Sequence, residues 1–262
     1  MEKYNVKFKK RLGQNFLKNK AIVDKIATIN TDTSNSLVIE VGPGGGILTK
    51  ELANNYKNVL AYEIDESLKD ELNNRISSFS NVDIIYKDFL KVDISEDIKK
   101  YNYDKLYFIS NVPYYITSPI LVKLIESNIN FNKITMMIQK EVGDRFCAKE
   151  GSRNYGAISV ILRYLFDIKK EFLVSKNNFV PIPKVDSAVI SFMPRDREEL
   201  DFDKFRIFIN DAFRHKRKNL KNNLGNYDLS IISSVLEENG HSLNDRAEVI
   251  SLELFIKIFN NL

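Results

Sequence analysis

Residues 37–48 read Leu-Val-Ile-Glu-Val-Gly-Pro-Gly-Gly-Gly-Ile-Leu, and this stretch decides the fold. The apolar run Leu37–Val41 predicts a buried strand, and the spacing of apolar residues from Ile47 to Asn55 predicts a helix. The glycines between them allow a sharp turn, at which a ligand can approach bare backbone and the free N–H groups of a helix N-terminus. Their spacing differs from the dinucleotide fingerprint, and the Lys-Ser/Thr ending of a phosphate loop is absent, which disfavours a nucleoside triphosphate site.

The alternation of strand and helix continues on the C-terminal side of this turn. Further strands are predicted at Val59–Ile64, Val82–Tyr86, Leu106–Ser110 and Ile134–Gln139, with helices at Ser67–Ile76, from about Ser118, and at Tyr155–Phe166. Continuous apolar strands separated by helices indicate a parallel sheet that is covered on both faces. Two later strands, Lys169–Val174 and Ser187–Met193, have no helix between them and predict an antiparallel edge.

The last quarter of the chain has a different pattern. Apolar residues such as Phe205, Phe208 and Ile209 recur at helical spacing, and no further strand is indicated. We therefore predict an α/β domain over residues 1–195 and a small all-helical domain over residues 196–262.

Two acidic residues follow the second and third predicted strands. Glu63 lies 19 residues after Gly44, and Asp88 follows the run that ends at Tyr86. The first carboxylate can accept hydrogen bonds from the ribose hydroxyls of an adenosine, and the second can accept one from the adenine amine. Either acid could instead cap a turn or helix. Together with the glycine turn, they favour a cofactor that contains adenosine.

Asn111-Val-Pro-Tyr114 follows the fourth predicted strand, at the edge where open α/β sheets bind ligands. The exocyclic amine of adenine is a poor nucleophile because its lone pair is delocalised into the ring. The Asn111 side-chain oxygen and a carbonyl of Val112 or Pro113 could accept hydrogen bonds from this amine and stabilise the developing positive charge. If the methyl donor is a methylsulfonium, attack by this amine is an in-line displacement. Such a reaction depends on how the two groups are positioned and requires no strong base. Alone, the tetrapeptide is equally typical of a turn.

Aromatic residues are expected to hold the base. Tyr114 can stack on it, and Phe179, which opens the proline-rich segment 179–186, could cover the opposite face.

Other chemistries have few residues to draw on. Cys147 is the only cysteine, and without a neighbouring proline it is a poor candidate for the nucleophile of a cytosine methyltransferase. His215 and His241 are the only histidines, so we expect neither a metal site nor a catalytic triad. A single cysteine also excludes an internal disulfide framework. With no apolar run near 20 residues and no signal-peptide pattern, we expect a cytoplasmic protein and no membrane partner.

The net charge of +4 over 262 residues is unevenly distributed. Residues 1–25 and residues 204–221 each carry a net charge of +6, so the rest of the chain carries −8. Two basic segments on an acidic body suggest a polyanionic partner, although charge alone favours solvated helix faces.

These motifs together resemble the ribosomal RNA adenine dimethyltransferase family, in particular its bacterial small-subunit branch. The resemblance runs nearly end to end, through the blocks Lys10–Leu17, Glu40–Ile47, Glu63, Asp88, Asn111–Tyr114, Phe179–Ser187 and His215–Leu220. Leu12 departs mildly from it, because an aromatic residue is often found there. The resemblance implies a Rossmann-like methyltransferase fold with a helical RNA-recognition domain. It also implies transfer of methyl groups from S-adenosylmethionine to two adjacent adenines near the 3′ end of small-subunit RNA, within an assembling 30S-type subunit, by a monomer.

The same resemblance assigns roles to residues. The cofactor would be lined by Asn15, Leu17, Gly42, Gly44, Glu63, Ile64, Asp88, Phe89 and Asn111. The target base would be held by Asn111, Pro113, Tyr114 and Phe179. RNA phosphates would be contacted by Lys7, Lys9, Lys10, Arg11, Arg214, Lys216, Arg217, Lys218 and Lys221.

Two alternatives remain at this point. One is the antibiotic-resistance branch, which methylates an adenine of large-subunit RNA with the same chemistry. The other is a binding factor that keeps the fold but acts in ribosome assembly or transcription, against which the intact Glu63, Asp88 and Asn111–Tyr114 argue.

Overall fold

The computed structural model describes residues 15–262, which fall into two compact units. The first unit comprises residues up to 140 together with 169–193, and the second comprises residues 141–168 together with 194–262. Residues 141–168 thus group with the C-terminal helices, whereas the sequence assigned them to the α/β domain. The chain enters the second unit for the last time at residue 194. A division into domains 1–195 and 196–262 stays a prediction.

The strands of the described chain are β1 (Phe16–Leu17), β2 (Ser36–Val41), β3 (Asn58–Tyr62), β4 (Val82–Ile85), β5 (Lys105–Asn111), β6 (Lys133–Gln139), β7 (Phe166–Val174), β8 (Phe179–Val180) and β9 (Ser187–Pro194). Seven of them form one sheet in the order β4-β3-β2-β5-β6-β9-β7. Strands β2 to β6 are parallel, and β9 runs antiparallel to β6. The predicted α/β, Rossmann-like fold is confirmed, and so is its antiparallel edge, where β9 lies between β6 and β7.

The helices are α1 (Lys20–Ala27), α2 (Ile47–Asn55), α3 (Lys69–Ile76), α4 (Ile94–Ile98), α5 (Thr117–Glu126), α6 (Lys140–Phe146), α7 (Ala157–Leu165), α8 (Phe202–Ala212), α9 (Leu220–Asn223), α10 (Leu229–Glu238) and α11 (Leu252–Asn261). Short 3₁₀ turns at Glu66–Leu68, Phe89–Lys91 and Tyr114–Ile116 follow strands β3, β4 and β5. Across residues 15–262, no helix combines the length and the apolar character that crossing a membrane requires.

The central strand β2 shows why the parallel sheet forms. All six of its residues are buried, and Leu37, Val38 and Ile39 have no exposed surface. A strand that is buried on both faces needs continuous apolar side chains, and β-branched residues suit its pleated backbone. Glu40 is the single acidic residue within β2 and is therefore an exception to this pattern. Its surroundings are described with the cavity below.

A small second sheet was not expected from the sequence. Strand β1 pairs antiparallel with β8, with Phe16 opposite Val180 and Leu17 opposite Phe179. The pairing joins the segment before α1 to the proline-rich segment before β9, which are about 160 residues apart in the chain. Strands of two residues carry no periodicity, so only tertiary contacts reveal them.

The second unit has an aromatic core. Phe205, Phe208 and Phe255 have no exposed surface, and the ring of Phe208 lies edge-on to those of Tyr227 and Phe255. Helix α7 packs on α8 and α11 here, which is why residues 157–165 belong to this unit.

Candidate active site

A cavity lies at the carboxyl ends of the parallel strands, where an open α/β sheet is expected to bind its ligand. Its lining comes from the turns that follow β2, β3, β4 and β5, together with the segment around β1. All nine residues that the sequence assigned to the cofactor line it: Asn15, Leu17, Gly42, Gly44, Glu63, Ile64, Asp88, Phe89 and Asn111. Pro113 and Tyr114 line it as well. The structure therefore brings the predicted cofactor and base residues to one cavity, with Phe179 as the exception.

The glycine turn adopts a backbone that suits glycine. Gly42 and Gly44 have φ angles of +73° and +58°, which L-residues rarely adopt. A Cβ atom built on Gly44 would lie 2.3 Å from Cε1 of Phe16, so the ring of that β1 residue lies directly on the turn. A Cβ atom built on Gly42 would lie 3.5 Å from the ring of Pro113. The turn after β2 thus packs between β1 and the turn after β5.

Glu63 is held by backbone hydrogen bonds. Its Oε2 accepts from the N–H of Gly44 at 3.0 Å, and its Oε1 accepts from the N–H of Asp65 at 2.8 Å. The side chain is buried, and this burial raises the pKa of the carboxyl group while the backbone donors oppose the rise. Each carboxylate oxygen keeps a further lone pair for a ligand hydroxyl. The predicted ribose-binding acid is thus fixed in position by the glycine turn itself.

Glu40 is a residue of the cavity that the sequence analysis did not select. It is 1% exposed, and its Oε2 has no hydrogen-bond partner within residues 15–262. Burial raises its pKa to about 8, the nearby Thr49 side chain opposes this rise, and the charge of Glu63 adds to it. The carboxyl group is therefore largely neutral near pH 7. An acid inside the apolar run Leu37–Val41 was the signal that could have identified it.

Asp88 caps the turn that it begins. Its Oδ1 accepts a hydrogen bond from the N–H of Leu90 at 3.0 Å, which starts the 3₁₀ turn Phe89–Lys91. The capping alternative raised from the sequence therefore holds, yet Asp88 also lines the cavity. A carboxylate can do both because its second oxygen is not used by the cap. Beside it, Phe89 is buried and Ile64 is half-exposed, so both apolar side chains border the space next to this acid.

The orientation of the Asn111 amide is set by the N-terminal segment. Its Nδ2 donates a hydrogen bond to the backbone carbonyl of Asn15 at 3.2 Å. The amide thus uses one of its two N–H donors on the protein, and Oδ1 is the atom that can accept a hydrogen bond in the cavity. An acceptor at this position is what the proposed activation of an adenine amine requires.

The backbone of the same turn distinguishes the two predicted carbonyl acceptors. The carbonyl of Pro113 already accepts a hydrogen bond from the N–H of Ile116 at 3.1 Å, and the N–H of Val112 is bound to the carbonyl of Met137 at 3.2 Å. Because one lone pair of the Pro113 carbonyl is in use, the Val112 carbonyl is the better second acceptor.

The two predicted aromatic residues have different surroundings. Tyr114 is partly buried, lines the cavity and shares a 2.7 Å hydrogen bond with the hydroxyl of Ser187. Phe179 has no exposed surface, does not line the cavity and packs in the core cluster with Leu17 and Val174. Phe179 thus lies in the core next to its pairing partner Leu17, and its contact with a base stays a prediction.

Residues of the alternative chemistries lie outside the cavity. Cys147 follows α6 and is only partly exposed, and His241 pairs with Asp245 at 3.2 Å. Over the described part of the chain, no group of three or more His, Cys, Asp or Glu residues could hold a metal ion.

Of the two basic segments, the structure describes residues 204–221 in full and residues 1–25 only from residue 15 onward. Lys7, Lys9, Lys10 and Arg11 lie outside the described residues. In the second unit, every residue from Arg214 to Lys218 is exposed, as is Lys221. Lys216 Nζ donates to the backbone carbonyl of Arg153 at 2.9 Å, so the loop around Arg153 contacts this basic segment.

Comparison with known proteins identifies the family. The family model described as ribosomal RNA adenine dimethylase matches residues 5–262. The chain is 42% identical to the Ribosomal RNA small subunit methyltransferase A of Thermotoga petrophila, over 99% of this chain and 93% of that protein.

Two solved structures share the fold over nearly the whole chain. A dimethyladenosine transferase from Plasmodium falciparum has a TM-score of 0.74 at 24% identity, covering 92% of this chain and 95% of that one. The 23S rRNA methyltransferase ErmE has a TM-score of 0.75 at 25% identity, covering 94% and 99%. The chain belongs to the ribosomal RNA adenine dimethylase family, as its motifs predicted, and is an S-adenosylmethionine-dependent enzyme that methylates adenine in ribosomal RNA.

Proposed function

We propose that this enzyme dimethylates the exocyclic amines of two adjacent adenines near the 3′ end of small-subunit (16S) ribosomal RNA. The observation that carries the proposal is the position of Asn111 and Tyr114 at one cavity with Glu63 and the glycine turn. The choice of subunit is supported by the name of the Thermotoga petrophila relative, with which the chain aligns over 99% of its length.

The cavity suits S-adenosylmethionine, which supplies the methyl group when bound. Glu63 would accept hydrogen bonds from the ribose hydroxyls, and Asp88 would accept one from the adenine amine. Gly42 and Gly44 allow close approach to the backbone, and Leu17, Ile64 and Phe89 provide apolar contacts. The buried Oε2 of Glu40 also lines this cavity and has no hydrogen-bond partner within the described chain, so it could form a hydrogen bond with the cofactor.

The target base would be held by the turn after β5. Oδ1 of Asn111 and the carbonyl of Val112 accept hydrogen bonds from the adenine amine, which localises its lone pair and stabilises the positive charge that develops during attack. Tyr114 stacks on the base, and Pro113 restricts the backbone directly after the Val112 carbonyl. After the first transfer the amine has a single hydrogen, so one acceptor is enough for the second. Adenine must be unpaired or flipped for this geometry.

RNA affinity would come mainly from lysine and arginine residues. The described contributors are Arg214, Lys216, Arg217, Lys218 and Lys221, and Lys7, Lys9, Lys10 and Arg11 would act with them. Phosphate contacts give affinity and orientation without reading the sequence. We place the helical domain 196–262 in RNA recognition, and we place the reaction on an assembling 30S-type subunit, in the cytoplasm, by a monomer.

One observation favours a second candidate. ErmE, a 23S rRNA methyltransferase, matches the fold of this chain as well as the dimethyladenosine transferase does. The experiment must therefore distinguish methylation of large-subunit RNA from the proposed methylation of small-subunit RNA. A binding factor without activity is disfavoured by the intact Glu63, Asp88 and Asn111.

The test uses the full chain with labelled S-adenosylmethionine and three substrates: unmethylated small subunits, large subunits and naked ribosomal RNA. Dimethyladenine that maps to two adjacent adenines of small-subunit RNA is the expected result. Label confined to large-subunit RNA overturns the assignment to the small subunit. Cofactor binding without any transfer supports the binding factor instead.

A further inference from the structure

We propose that Ser187 is a positioning residue for the target base, because its hydroxyl holds the ring of Tyr114 at the cavity. The inference rests on the proposed role of Tyr114 as the stacking residue, and it applies to whichever ribosomal adenine the enzyme methylates. No motif of the sequence assigned a role to the Ser187 side chain.

The contact joins two elements that lie far apart in the chain. The hydroxyls of Tyr114 and Ser187 are 2.7 Å apart, across a separation of 73 residues. Ser187 has no exposed surface, whereas Tyr114 is only partly buried and lines the cavity. The buried hydroxyl is therefore the fixed partner, and the tyrosine is the side chain that it restrains.

Ser187 sits on a well-anchored piece of backbone. It is the first residue of β9 and pairs with Gln139 at the end of β6. The residue before it, Asp186, accepts hydrogen bonds from two backbone N–H groups: its carbonyl from Lys140 and its Oδ1 from Lys176, both at 2.9 Å. The backbone that carries the Ser187 hydroxyl is thus held by two neighbouring segments, one at Gln139 and Lys140 and the other at Lys176.

Tyr114 needs such a restraint. It begins the 3₁₀ turn Tyr114–Ile116, whose backbone does not determine the two side-chain torsions of the ring. Burial raises the pKa of the phenol, so the hydroxyl keeps its proton and remains a hydrogen-bond donor at neutral pH. An aromatic ring that is already oriented loses less conformational entropy when a base stacks on it.

The expected consequence is specific to the base. Loss of the tether should lower kcat/KM for RNA about two- to tenfold, the range of one net hydrogen bond. The dissociation constant for S-adenosylhomocysteine should stay within about twofold, because Ser187 does not line the cavity.

The test is a double-mutant cycle with Ser187→Ala and Tyr114→Phe, which each remove one hydroxyl and keep the ring. Methyl transfer is measured on the subunit that the wild type methylates, and S-adenosylhomocysteine binding is measured by calorimetry. Both single variants should lose activity, and the double variant should lose no more than either one.

Ser191→Ala is the matched control. Ser191 lies on the same strand, is also buried, and shares a 3.2 Å hydrogen bond with Thr135 instead of Tyr114. Its variant should retain transfer. Three results overturn the proposal: wild-type kcat/KM in Ser187→Ala, losses that add in the double variant, or an equal loss in Ser191→Ala. The subunit that the wild type labels is a separate readout, so an error in the proposed substrate is recognised independently.

Discussion

The cavity of the first unit and the basic segment of the second are built in opposite ways. In the cavity, Glu63 is held by two backbone N–H groups and Asn111 by a backbone carbonyl. In the basic segment, the side chains from Arg214 to Lys218 are exposed on consecutive residues. Transfer chemistry needs acceptors at defined positions, whereas attraction to phosphate needs only charge at a suitable distance. We therefore expect single substitutions to have large effects in the cavity and small, salt-dependent effects in the basic segment.

The largest effect is expected at Asn111. Asn111→Ala removes the oriented acceptor and should reduce transfer by at least about 10²–10³-fold, while cofactor binding stays measurable. Methyl incorporation and S-adenosylhomocysteine calorimetry measure the two quantities separately. Asn30→Ala is a control, because that asparagine bonds Tyr56 outside the cavity. Full transfer by Asn111→Ala would contradict the role given to the residue.

A second effect is expected from the glycine turn. Gly44→Ala forces a φ of +58° on alanine and places its Cβ against Phe16, so cofactor affinity should fall by about tenfold or more. Gly151→Ala carries the same backbone strain at +77° but meets no atom within 4 Å. The Gly151 variant should lose stability alone. Equal cofactor affinity in both variants would show that the turn does not bear on the cofactor.

A third prediction concerns pH and Glu40. Its pKa is about 8 in the folded protein and near 4.5 when unfolded, so between these values the folded state binds more protons than the unfolded state. The free energy of unfolding should therefore fall as pH rises from about 4.5 to 8, by at most about 1.4 kcal/mol per pH unit from this group. Urea unfolding across this range should show a weaker slope for Glu40→Gln. Parallel curves for both proteins would argue against a neutral Glu40.

The smallest effect is expected in the basic segment. Lys216→Ala combined with Arg217→Ala should weaken RNA binding a fewfold and lower the slope of log affinity against log salt by about two. Lys204→Ala with Arg206→Ala removes the same charge, but these two residues pair with Asp201 and Asp203. The control pair should change the slope less. An unchanged slope for the Lys216 and Arg217 pair would place the RNA elsewhere.

Much of the first unit could be predicted because its signals are local. The helix Ile47–Asn55 has the predicted bounds, and the strands of the parallel sheet differ from their predicted bounds by one or two residues. Glu63, Asp88 and Asn111 followed from the strand order, since turns after parallel strands meet at one edge, whereas Asn15 and Leu17 were implied by the family resemblance. Glu40 was not predicted as a cavity residue, although it stands out as an acid within the apolar run Leu37–Val41. An acidic residue in a strand indicates a functional role only when the strand is known to be buried.

The surroundings of Phe179 could not be predicted, for a different reason. An aromatic residue at the start of a proline-rich segment has no periodic neighbours that show which way it faces. Its burial follows from the pairing of β8 with β1, a long-range contact between strands of two residues each. The division of the chain into units has a similar origin, because α7 packs on helices that follow it by more than 30 residues.

The sequence by itself determined the parallel sheet, the glycine turn and the place of Glu63, Asp88 and Asn111 at the ends of strands, since each depends on patterns within about ten residues or on the order of strands. The tertiary structure alone decided which atoms are available for chemistry. Asn15 orients the amide of Asn111 across 96 residues, Ser187 restrains Tyr114 across 73, and Phe179 is withdrawn into the core. Hydrogen bonds and packing between distant segments leave no local pattern in the chain, so they appear only when the fold brings those segments together.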